Sequence, residues 1–432
     1  MNLITDEQTI GDIRIFGKRE EGGIYDLYNQ THTRGGQVVL EQMFRSPLSD
    51  KKMINERSSI ISCFAQKNIL FPFEAALFDM AEKYLVADDQ GKQAGTQSVL
   101  SEKDVANGVM AVIELMQLIR SFVERTEVLA NEAWQPERIG ILELLTDGAF
   151  EPVYREKAKA RIAYGAVTAY DLLFRIREKE KIQRILSFIY NLDVYLSVAR
   201  VARERKFVFA KAMEKGGAIL KVKDVYHPGL TNPVANDISL HPEKNLIFLT
   251  GANMAGKSTF LRALSTALYV AHMGFPVAAG AMEFSVMDGI YTTVNLPDNL
   301  GIGASHFYAE VLRVKKVAAE LAMGKSLFIV FDELFRGTNV KDAHEATVAV
   351  SLAFARKKNS LFIISSHIVE AGEQLSMHPS VGFQYLPTRM EGITPEYTYK
   401  LEAGITADRH GMIIIRNEGI LDTLKNGHKR TV

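Results

Sequence analysis

A glycine-rich octapeptide between residues 251 and 258 is the feature that most constrains how this chain can fold. It fits the pattern G-x-x-x-x-G-K-[ST], with Lys257 and Ser258 at its end. An apolar run typical of a buried strand, Leu246–Thr250, precedes it, and a helical run begins at Lys257. In this setting the backbone N–H groups of the turn and of the helix N-terminus point into one concavity that attracts phosphate. The motif therefore predicts a nucleotide site, and a structural glycine turn is the alternative.

A second motif consists of two adjacent carboxylates, Asp332 and Glu333, directly after the apolar run Ser326–Phe331. Carboxylates at the end of a buried strand are costly unless a cation or a reaction uses them. Beside a phosphate-binding loop, Asp332 is predicted to hold Mg²⁺ and Glu333 to orient or deprotonate an attacking water. The alternative is an ordinary strand end with exposed acids.

A third candidate is His367, which follows the apolar strand-like run Ser360–Ser365. A histidine at the carboxyl end of a third strand can reach a γ-phosphate, although a lone histidine is more often structural. The run from Gly301 to His306 is a fourth, weaker signal. It is interpreted as a glycine-rich loop before a helix, with Ser305 as the N-cap, or as a simple connector.

The alternation of short apolar runs with helical runs after Lys206 predicts a mostly parallel sheet with crossover helices. We therefore predict three parts along the chain. They are an N-terminal lead with some strand character over residues 1–30, an all-α domain over 31–205 and an α/β domain over 206–432.

Helical periodicity dominates the predicted all-α domain. One helix is predicted over Ser101–Arg125, capped by Ser101, and a second long helical stretch from about residue 154 to 205. Ser49 or Asp50 is a predicted N-cap for an earlier helix. The alternating charges of the second stretch are interpreted as a solvated face with i,i+4 pairs or, alternatively, as a basic face for a phosphate backbone.

Composition sets bounds on partners and compartment. Lysine and arginine number 51, equal to aspartate and glutamate, so DNA binding would need a local basic patch. The single cysteine, Cys63, cannot form an intramolecular disulfide, in agreement with a reducing cytosol. The longest apolar stretch, Ala263–Ala281, is interrupted by His272, Gly274 and Pro276, so no membrane span is expected. These features predict a cytoplasmic protein.

Several segments together resemble the DNA mismatch repair MutS family. These are TGANMAGKSTFLRAL (250–264), FDELFRGTNVKDA (331–343), SHFYAEV (305–311), SSHIVE (365–370), HPGLTNPVANDISL (227–240) and YTYKLEAGITADRHGM (397–412). A weaker resemblance covers residues 31–64 and 186–210, which are similar to the start and end of the family's helical core or lever region. The resemblance implies an α/β P-loop NTPase domain of the ABC type, preceded by an all-α core or lever domain.

The resemblance also implies ATP and Mg²⁺ as cofactors and a role for each site residue. Asp332 and Ser258 would hold the metal, Glu333 would be the catalytic acid, and His367 would sense the γ-phosphate. Ser305 would act in trans on the ATP of a second subunit, which implies a homodimer with composite sites. The nucleotide-binding residues implied are Val234, Gly251, Ala252, Asn253, Met254, Ala255, Gly256, Lys257, Ser258 and Thr259.

Departures from the family pattern leave two functional hypotheses and favour the second of them. No segment similar to the family's mismatch-reading or connector domains precedes residue 31, and residues 125–155 leave room for little of a clamp. Pro233 stands where the family often has an aromatic residue, and Phe335 and Ala343 replace smaller residues. The first hypothesis is an ATPase that binds mismatched or branched DNA, with a repair-protein partner. The second is a nucleotide-dependent protein-interaction switch that no longer binds DNA.

Overall fold

The computed structural model describes residues 2–17, 21–90, 100–157, 162–294, 306–391, 394–406 and 419–425. The chain forms two compact units. The first contains Met1–Asp26, Ser46–Asn55 and Phe207–Val432, and the second contains Leu27–Arg45 and Glu56–Lys206. The predicted three-part division stays a prediction. The structure groups residues 46–55 and most of the predicted lead with the α/β part of the chain.

All the described strands lie in the first unit. They are β1 Val208–Phe209, β2 Lys211–Met213, β3 Leu220–Val225, β4 Asn236–Leu240, β5 Leu246–Gly251, β6 Pro276–Val277, β7 Ala281–Ser285, β8 Gly289–Thr293, β9 Leu327–Phe331, β10 Leu361–Ser365, β11 Val381–Leu386, β12 Thr388–Glu391, β13 Thr394–Tyr397 and β14 Glu402–Ala403. The main sheet has six strands in the order β14-β11-β5-β10-β9-β8. Every pairing in it is parallel except that of β14 with β11, which confirms the predicted mostly parallel sheet.

Smaller sheets surround this one. A four-stranded sheet has the order β2-β7-β3-β4, and two-stranded pairs join β1 to β6 and β12 to β13. The core of the main sheet is apolar because β5, β8, β9 and β10 are buried along their whole length. Strands buried on both faces read as continuous apolar runs, which is why they were visible in the sequence.

The helices run along the chain in the following order: α1 Glu7–Asp12, α2 Ile24–Tyr28, α3 Arg34–Arg45, α4 Lys51–Lys67, α5 Ala75–Gln90, α6 Glu102–Val123, α7 Thr126–Leu129, α8 Gln135–Leu145, α9 Tyr164–Leu172, α10 Lys179–Arg205, α11 Lys257–Ala271, α12 His306–Ala322, α13 Val340–Ala355, α14 Val369–Leu375 and α15 Ile420–Lys425. Short 3-10 helices cover Glu132–Trp134 and Gly148–Arg155, and a π-helical turn covers Leu173–Arg177.

The second unit is helical, as predicted. The Ser101 hydroxyl accepts a hydrogen bond from Asp104 N and caps α6, which confirms that helix start. In the first unit, Asp50 rather than Ser49 caps α4, since its carboxylate accepts the N–H of Met53 at 2.9 Å. The Ser49 hydroxyl instead donates to the carbonyl of Met287.

The single long helical stretch predicted from about 154 to 205 is wrong in its continuity. The chain forms a 3-10 segment to Arg155, then α9, a π-helical turn and α10. Apolar spacing does not reveal such a turn, because a π-helical insertion preserves one apolar face on each side of it. The charged residues of the stretch from 154 to 205 form ion pairs along the helices, as in Arg175 with Asp171 at 2.7 Å and Arg200 with Glu204 at 2.8 Å. These pairs favour the solvated face over a basic face.

Two helices, α6 and α10, are long and apolar enough to cross a membrane by length and composition. Half of the apolar window of α6 and two thirds of that of α10 are buried inside the fold. Core helices of globular proteins have the same properties, so this finding is weak support for a membrane span.

The N-terminal segment forms the helix α1 and has strand character only as isolated β-bridges from Asn2 to Leu48 and from Ile4 to Gly289 of β8, and α1 packs on the main sheet. The Asp12 carboxylate accepts hydrogen bonds from Thr292 Oγ1 at 2.9 Å and Val294 N at 2.8 Å, at the end of β8. Asp6 forms ion pairs with Arg313 and Lys316 on α12. The side chain of Arg313 is only 8% exposed, so this cation depends on its carboxylate partner.

We expect Asp6→Ala to lower the free energy of unfolding by about 3 kcal/mol, because it leaves a buried guanidinium without its counter-charge. Glu7→Ala removes an exposed carboxylate from the same helix and is the matched control, with an expected change of about 0.5 kcal/mol or less. Denaturant unfolding of both variants measures the difference. Equal effects would contradict a stabilising role for the buried ion pair.

His272, directly after α11, is fully buried in the neutral form. Its Nδ1 donates to the carbonyl of Leu48 at 2.8 Å, and its Nε2 faces the backbone N–H of Met287 at 3.4 Å. Burial lowers the pKa of His272 from 6.5 to about 4. A proton on Nε2 would oppose the Met287 N–H, so the fold favours the uncharged ring.

This burial predicts acid sensitivity. Since the pKa of His272 is lower in the folded than in the unfolded chain, its stabilising contribution is complete above pH 6.5 and is lost as the pH falls toward 4. The loss is on the order of 3 kcal/mol. Between pH 7.5 and 4.5, the free energy of unfolding should fall more steeply for the wild type than for His272→Gln. Parallel pH profiles of the two proteins would refute this assignment.

Candidate nucleotide site

Three segments that follow neighbouring strands meet at the carboxyl edge of the main sheet. The glycine-rich loop follows β5, Asp332 and Glu333 follow β9, and His367 follows β10. The order β5-β10-β9 places β10 between the other two strands, and all three are parallel. Parallel strands present their carboxyl ends at one edge, where α/β folds bind ligands.

The glycine-rich loop adopts conformations that explain its composition. Gly251 has a φ of 148° and Gly256 a φ of 99°, and Gly256 forms the N-cap of α11. A Cβ atom on Gly256 would also lie 3.0 Å from the ring of Tyr399. Both the backbone angle and the space therefore require glycine at residue 256.

Lys257 lies in the first turn of α11 and is directed back over the loop. Its Nζ donates to the carbonyls of Gly251 at 2.8 Å and Ala252 at 3.1 Å. Burial lowers the pKa of Lys257, while the nearby charges of Asp332 and Glu333 oppose that shift. The cation is thus held at the loop by weak carbonyl partners, which a phosphate could replace.

Ser258 and Asp332 form an oxygen-rich pair. The Ser258 hydroxyl donates to Asp332 Oδ2 at 2.5 Å, and the Ser365 hydroxyl donates to the other carboxylate oxygen. Hard oxygen atoms of this kind suit Mg²⁺, which usually takes one or two protein ligands and completes its shell with water and phosphate. Among the described residues, no group of three or more His, Cys, Asp or Glu side chains could hold a metal alone. The pair therefore fits a metal shared with a nucleotide.

Glu333 and His367 form a second pair beside the first. His367 Nε2 lies 2.7 Å from Glu333 Oε1, and Arg336 lies 3.2 Å from Glu333 Oε2. The hydrogen bond from His367 is the main cause that lowers the pKa of Glu333 to about 2, and the bond from Arg336 adds to it. Glu333 is therefore ionised at neutral pH. Its backbone has a φ of 58°, in the left-handed region that is unusual for a residue with a side chain.

A cavity of about 590 Å³ opens beside the loop. Of the predicted site residues, Val234, Ala252, Asn253, Met254, Gly256, Lys257, Ser258, Thr259 and Glu333 line it. Gly251 and Ala255 belong to the loop but not to the cavity wall, and Ala255 is buried. Asp332 does not line the cavity but accepts a hydrogen bond from the hydroxyl of Ser258, which does. Ser305 lies outside the described residues.

Sequence reasoning missed part of the cavity wall. His227 lies before β4, Asn236 is the first residue of β4 and Tyr399 follows β13, and together they line one end of the cavity. Asn236 donates through Nδ2 to the carbonyl of Tyr399 at 2.9 Å and accepts from Leu401 N at 2.7 Å. It thereby ties two segments 163 residues apart. No local spacing signals such a contact. The available hint was the resemblance of residues 227–240 and 397–412 to MutS segments, which together contain all three residues.

The family described as MutS domain V matches residues 247–426, which include the loop, the acid pair and His367. Over these residues the chain is similar to the MutS family. MutS domain V is a P-loop ATPase domain, and the helical part and mostly parallel sheet of this chain agree with the predicted fold.

Curated MutS relatives match more of the chain. The proteins named DNA mismatch repair protein MutS from Fusobacterium nucleatum and Caldicellulosiruptor bescii are 29% and 30% identical, over 56% and 58% of this chain. That from Staphylococcus haemolyticus is 25% identical over 82% of the chain. These matches cover 27%, 30% and 42% of the relatives' own lengths, so the chain spans less than half of each relative.

Proposed function

We propose that this chain binds and hydrolyses ATP with Mg²⁺ and that it is a DNA-responsive MutS-like ATPase. The observation that supports this most is the convergence of Lys257, the Ser258–Asp332 pair and the Glu333–His367 pair at one sheet edge. The MutS domain V match covers the same residues. The single cysteine agrees with a cytoplasmic location.

In this proposal the protein works by positioning and electrostatics rather than by covalent chemistry. The loop N–H groups and Lys257 would bind the phosphates, and Ser258 and Asp332 would hold Mg²⁺, which when bound would supply positive charge to neutralise the phosphates. Since the pKa of Glu333 is far below neutrality, it is a weak base. Its role is to orient the attacking water by accepting a hydrogen bond from the water's O–H group. His367 then exchanges its contact with Glu333 for the γ-phosphate.

Ser305 completes the proposed site from a second subunit, because its family motif acts in trans. A homodimer would then contain two composite sites, and ATP binding would close it. The dimer is part of the proposal and depends on that resemblance. It predicts that neither subunit alone carries a full site.

Mixing two inactive variants tests the trans assignment. Ser305→Ala and Lys257→Met should each lose turnover as homodimers. Their mixture should recover about a quarter of wild-type turnover, since half of random dimers are mixed and each of these holds one intact site. A mixture no more active than its components would place Ser305 in cis or outside the reaction. A mixture of Lys257→Met with Glu333→Gln is the control. Lys257 and Glu333 each act within the site of their own subunit, so a mixed dimer contains two damaged sites and no intact one.

DNA is the proposed effector, and its test is turnover measured with mismatched, branched and plain duplexes at low salt. We expect one DNA form to change kcat and its binding to weaken steeply as salt rises, as phosphate contacts require. The balanced charge of the chain and the internal ion pairs of α10 favour the second hypothesis, a protein-interaction switch. Robust turnover that no DNA alters would reject the DNA proposal in favour of the switch.

A further inference from the structure

Glu310, on the first turns of α12, is a buried carboxyl that the proposed mechanism leaves without a role. It is 4% exposed and lies five residues after Ser305. Its carboxylate accepts hydrogen bonds from the backbone N–H groups of Phe335 and Gly337. These two residues belong to the loop that follows Asp332 and Glu333. A side chain from α12 is thus bonded to the loop that carries the proposed catalytic acid.

That loop needs support because its backbone is strained. Glu333 has a φ of 58° and Phe335 a φ of 63°, and left-handed angles cost residues with a side chain about 1 kcal/mol or more each. Such conformations persist only where surrounding contacts determine them. The two bonds to Glu310 are contacts of this kind, since they bind the N–H groups on either side of Arg336.

The first turn of α12 also fits closely against the same loop. A Cβ atom on Gly337 would lie 2.7 Å from the backbone nitrogen of Phe307. The rings of Phe307 and Phe335 are 5.8 Å apart, and Phe335 is buried. The larger residue at position 335 therefore extends the contact between α12 and the loop, and a shift of α12 would move the loop with it.

Arg336 connects this contact to the site. It lies between the two residues bonded to Glu310, and its guanidinium bonds to Glu333 Oε2 at 3.2 Å. Glu333 in turn contacts His367. When the backbone on both sides of Arg336 is held in place, the position of the Arg336 Cα atom is also held. The Arg336 guanidinium then stabilises one position of the Glu333 side chain.

We propose that Glu310 is a positioning residue that couples α12 to Glu333 by holding the backbone from Glu333 to Gly337 in its strained conformation. In the ATPase proposed above, α12 follows the Ser305 segment, so the same contact transmits a partner's arrival to the attacking water's position. This second statement rests on the proposed function. The first concerns the loop alone.

The ionisation of Glu310 gives the coupling a pH dependence. Burial raises the pKa of Glu310 to about 7, Arg336 and the two backbone bonds act against this shift, and Glu333 adds to it. The ionised carboxylate is a charged acceptor for the two N–H groups, whereas the protonated form is a neutral and weaker acceptor. Lower pH should therefore loosen the loop.

Glu310→Gln tests the proposal, because it keeps the side chain's length while it replaces a charged acceptor with a neutral amide oxygen, which accepts hydrogen bonds more weakly. Glu320→Gln, on the same helix and paired with Lys325, is the matched control. Hydrogen exchange of the peptide covering residues 331–339 reports on the loop directly. Steady-state ATP turnover reports on the coupling.

We expect Glu310→Gln to lose protection in that peptide and to show about 10- to 100-fold lower kcat, with the KM for ATP changed about 3-fold or less. In the wild type, the hydrogen-exchange protection of this peptide, corrected for intrinsic exchange rates, should rise as the pH rises through 7, and kcat should rise with it. In the variant, neither quantity should change with pH in this range. Unchanged protection in Glu310→Gln, or wild-type protection flat across pH 7, would overturn the proposal. The pH dependence of wild-type protection needs no variant. If the wild type does not turn over ATP, the proposed function fails while the exchange data still decide the role of Glu310.

Discussion

Replacing Glu333 by glutamine is expected to lower ATP turnover about 100-fold or more while ATP binding is retained. Glutamine keeps the shape of the side chain but loses the negative charge that, in the proposed mechanism, attracts the proton of the attacking water. It also weakens the bonds to His367 and Arg336, which both favour the ionised carboxylate. The variant should therefore hold unreacted ATP.

Steady-state turnover and nucleotide retention after rapid gel filtration measure these two properties. Glu345→Gln is the control, because Glu345 is exposed on α13 and has no proposed part in the reaction. Near wild-type turnover by Glu333→Gln would remove Glu333 from the catalytic role. Loss of ATP binding together with turnover would show that its contribution is to the site's structure.

Lys257→Met should abolish measurable ATP binding, with an affinity loss of about 100-fold or more, because a cation bonded to phosphate contributes several kcal/mol in a water-poor site. Methionine preserves the apolar stem of the buried side chain, so the fold should be retained. The two carbonyls that Lys257 now bonds, Gly251 and Ala252, would then border the site without a donor between them.

Binding of a fluorescent ATP analogue, followed with and without Mg²⁺, measures this effect. Lys244→Met is the control, since Lys244 is exposed just before β5, at the opposite end of the strand that leads into the loop. Equal affinities for the two variants would contradict a nucleotide site at this loop. Thermal unfolding without nucleotide should show that Lys257→Met remains folded.

Sequence reasoning located the parts of the fold that depend on local pattern. Strands β5, β9 and β10 are buried on both faces, and their continuous apolar runs predicted them nearly to the residue. The cap of α6 at Ser101 was visible because one hydroxyl and one N–H three residues apart suffice to make it. The π-helical turn at 173–177 was not, since it leaves the spacing of apolar residues on each side intact.

The N-terminal segment shows why the remaining parts could not be predicted. The lead suggested some strand character, yet it forms α1, whose residues Thr9 and Asp12 are buried because they bond to β8, some 280 residues away. Polar residues whose partners are that distant give no periodic signal. The end of the cavity lined by Asn236 and Tyr399 is similar, because these residues meet only when β4 and the segment after β13 fold together.

By itself the sequence predicted the chemistry proposed for the site, since a lysine, a serine, two acids and a histidine in those contexts already predict phosphate and metal affinity. The tertiary structure decided which of these groups touch. Only the parallel order β5-β10-β9 brings Ser258 to Asp332 and His367 to Glu333. It also placed Glu310 under the loop of Glu333, because a backbone N–H has no identity in the sequence and finds its acceptor only through packing.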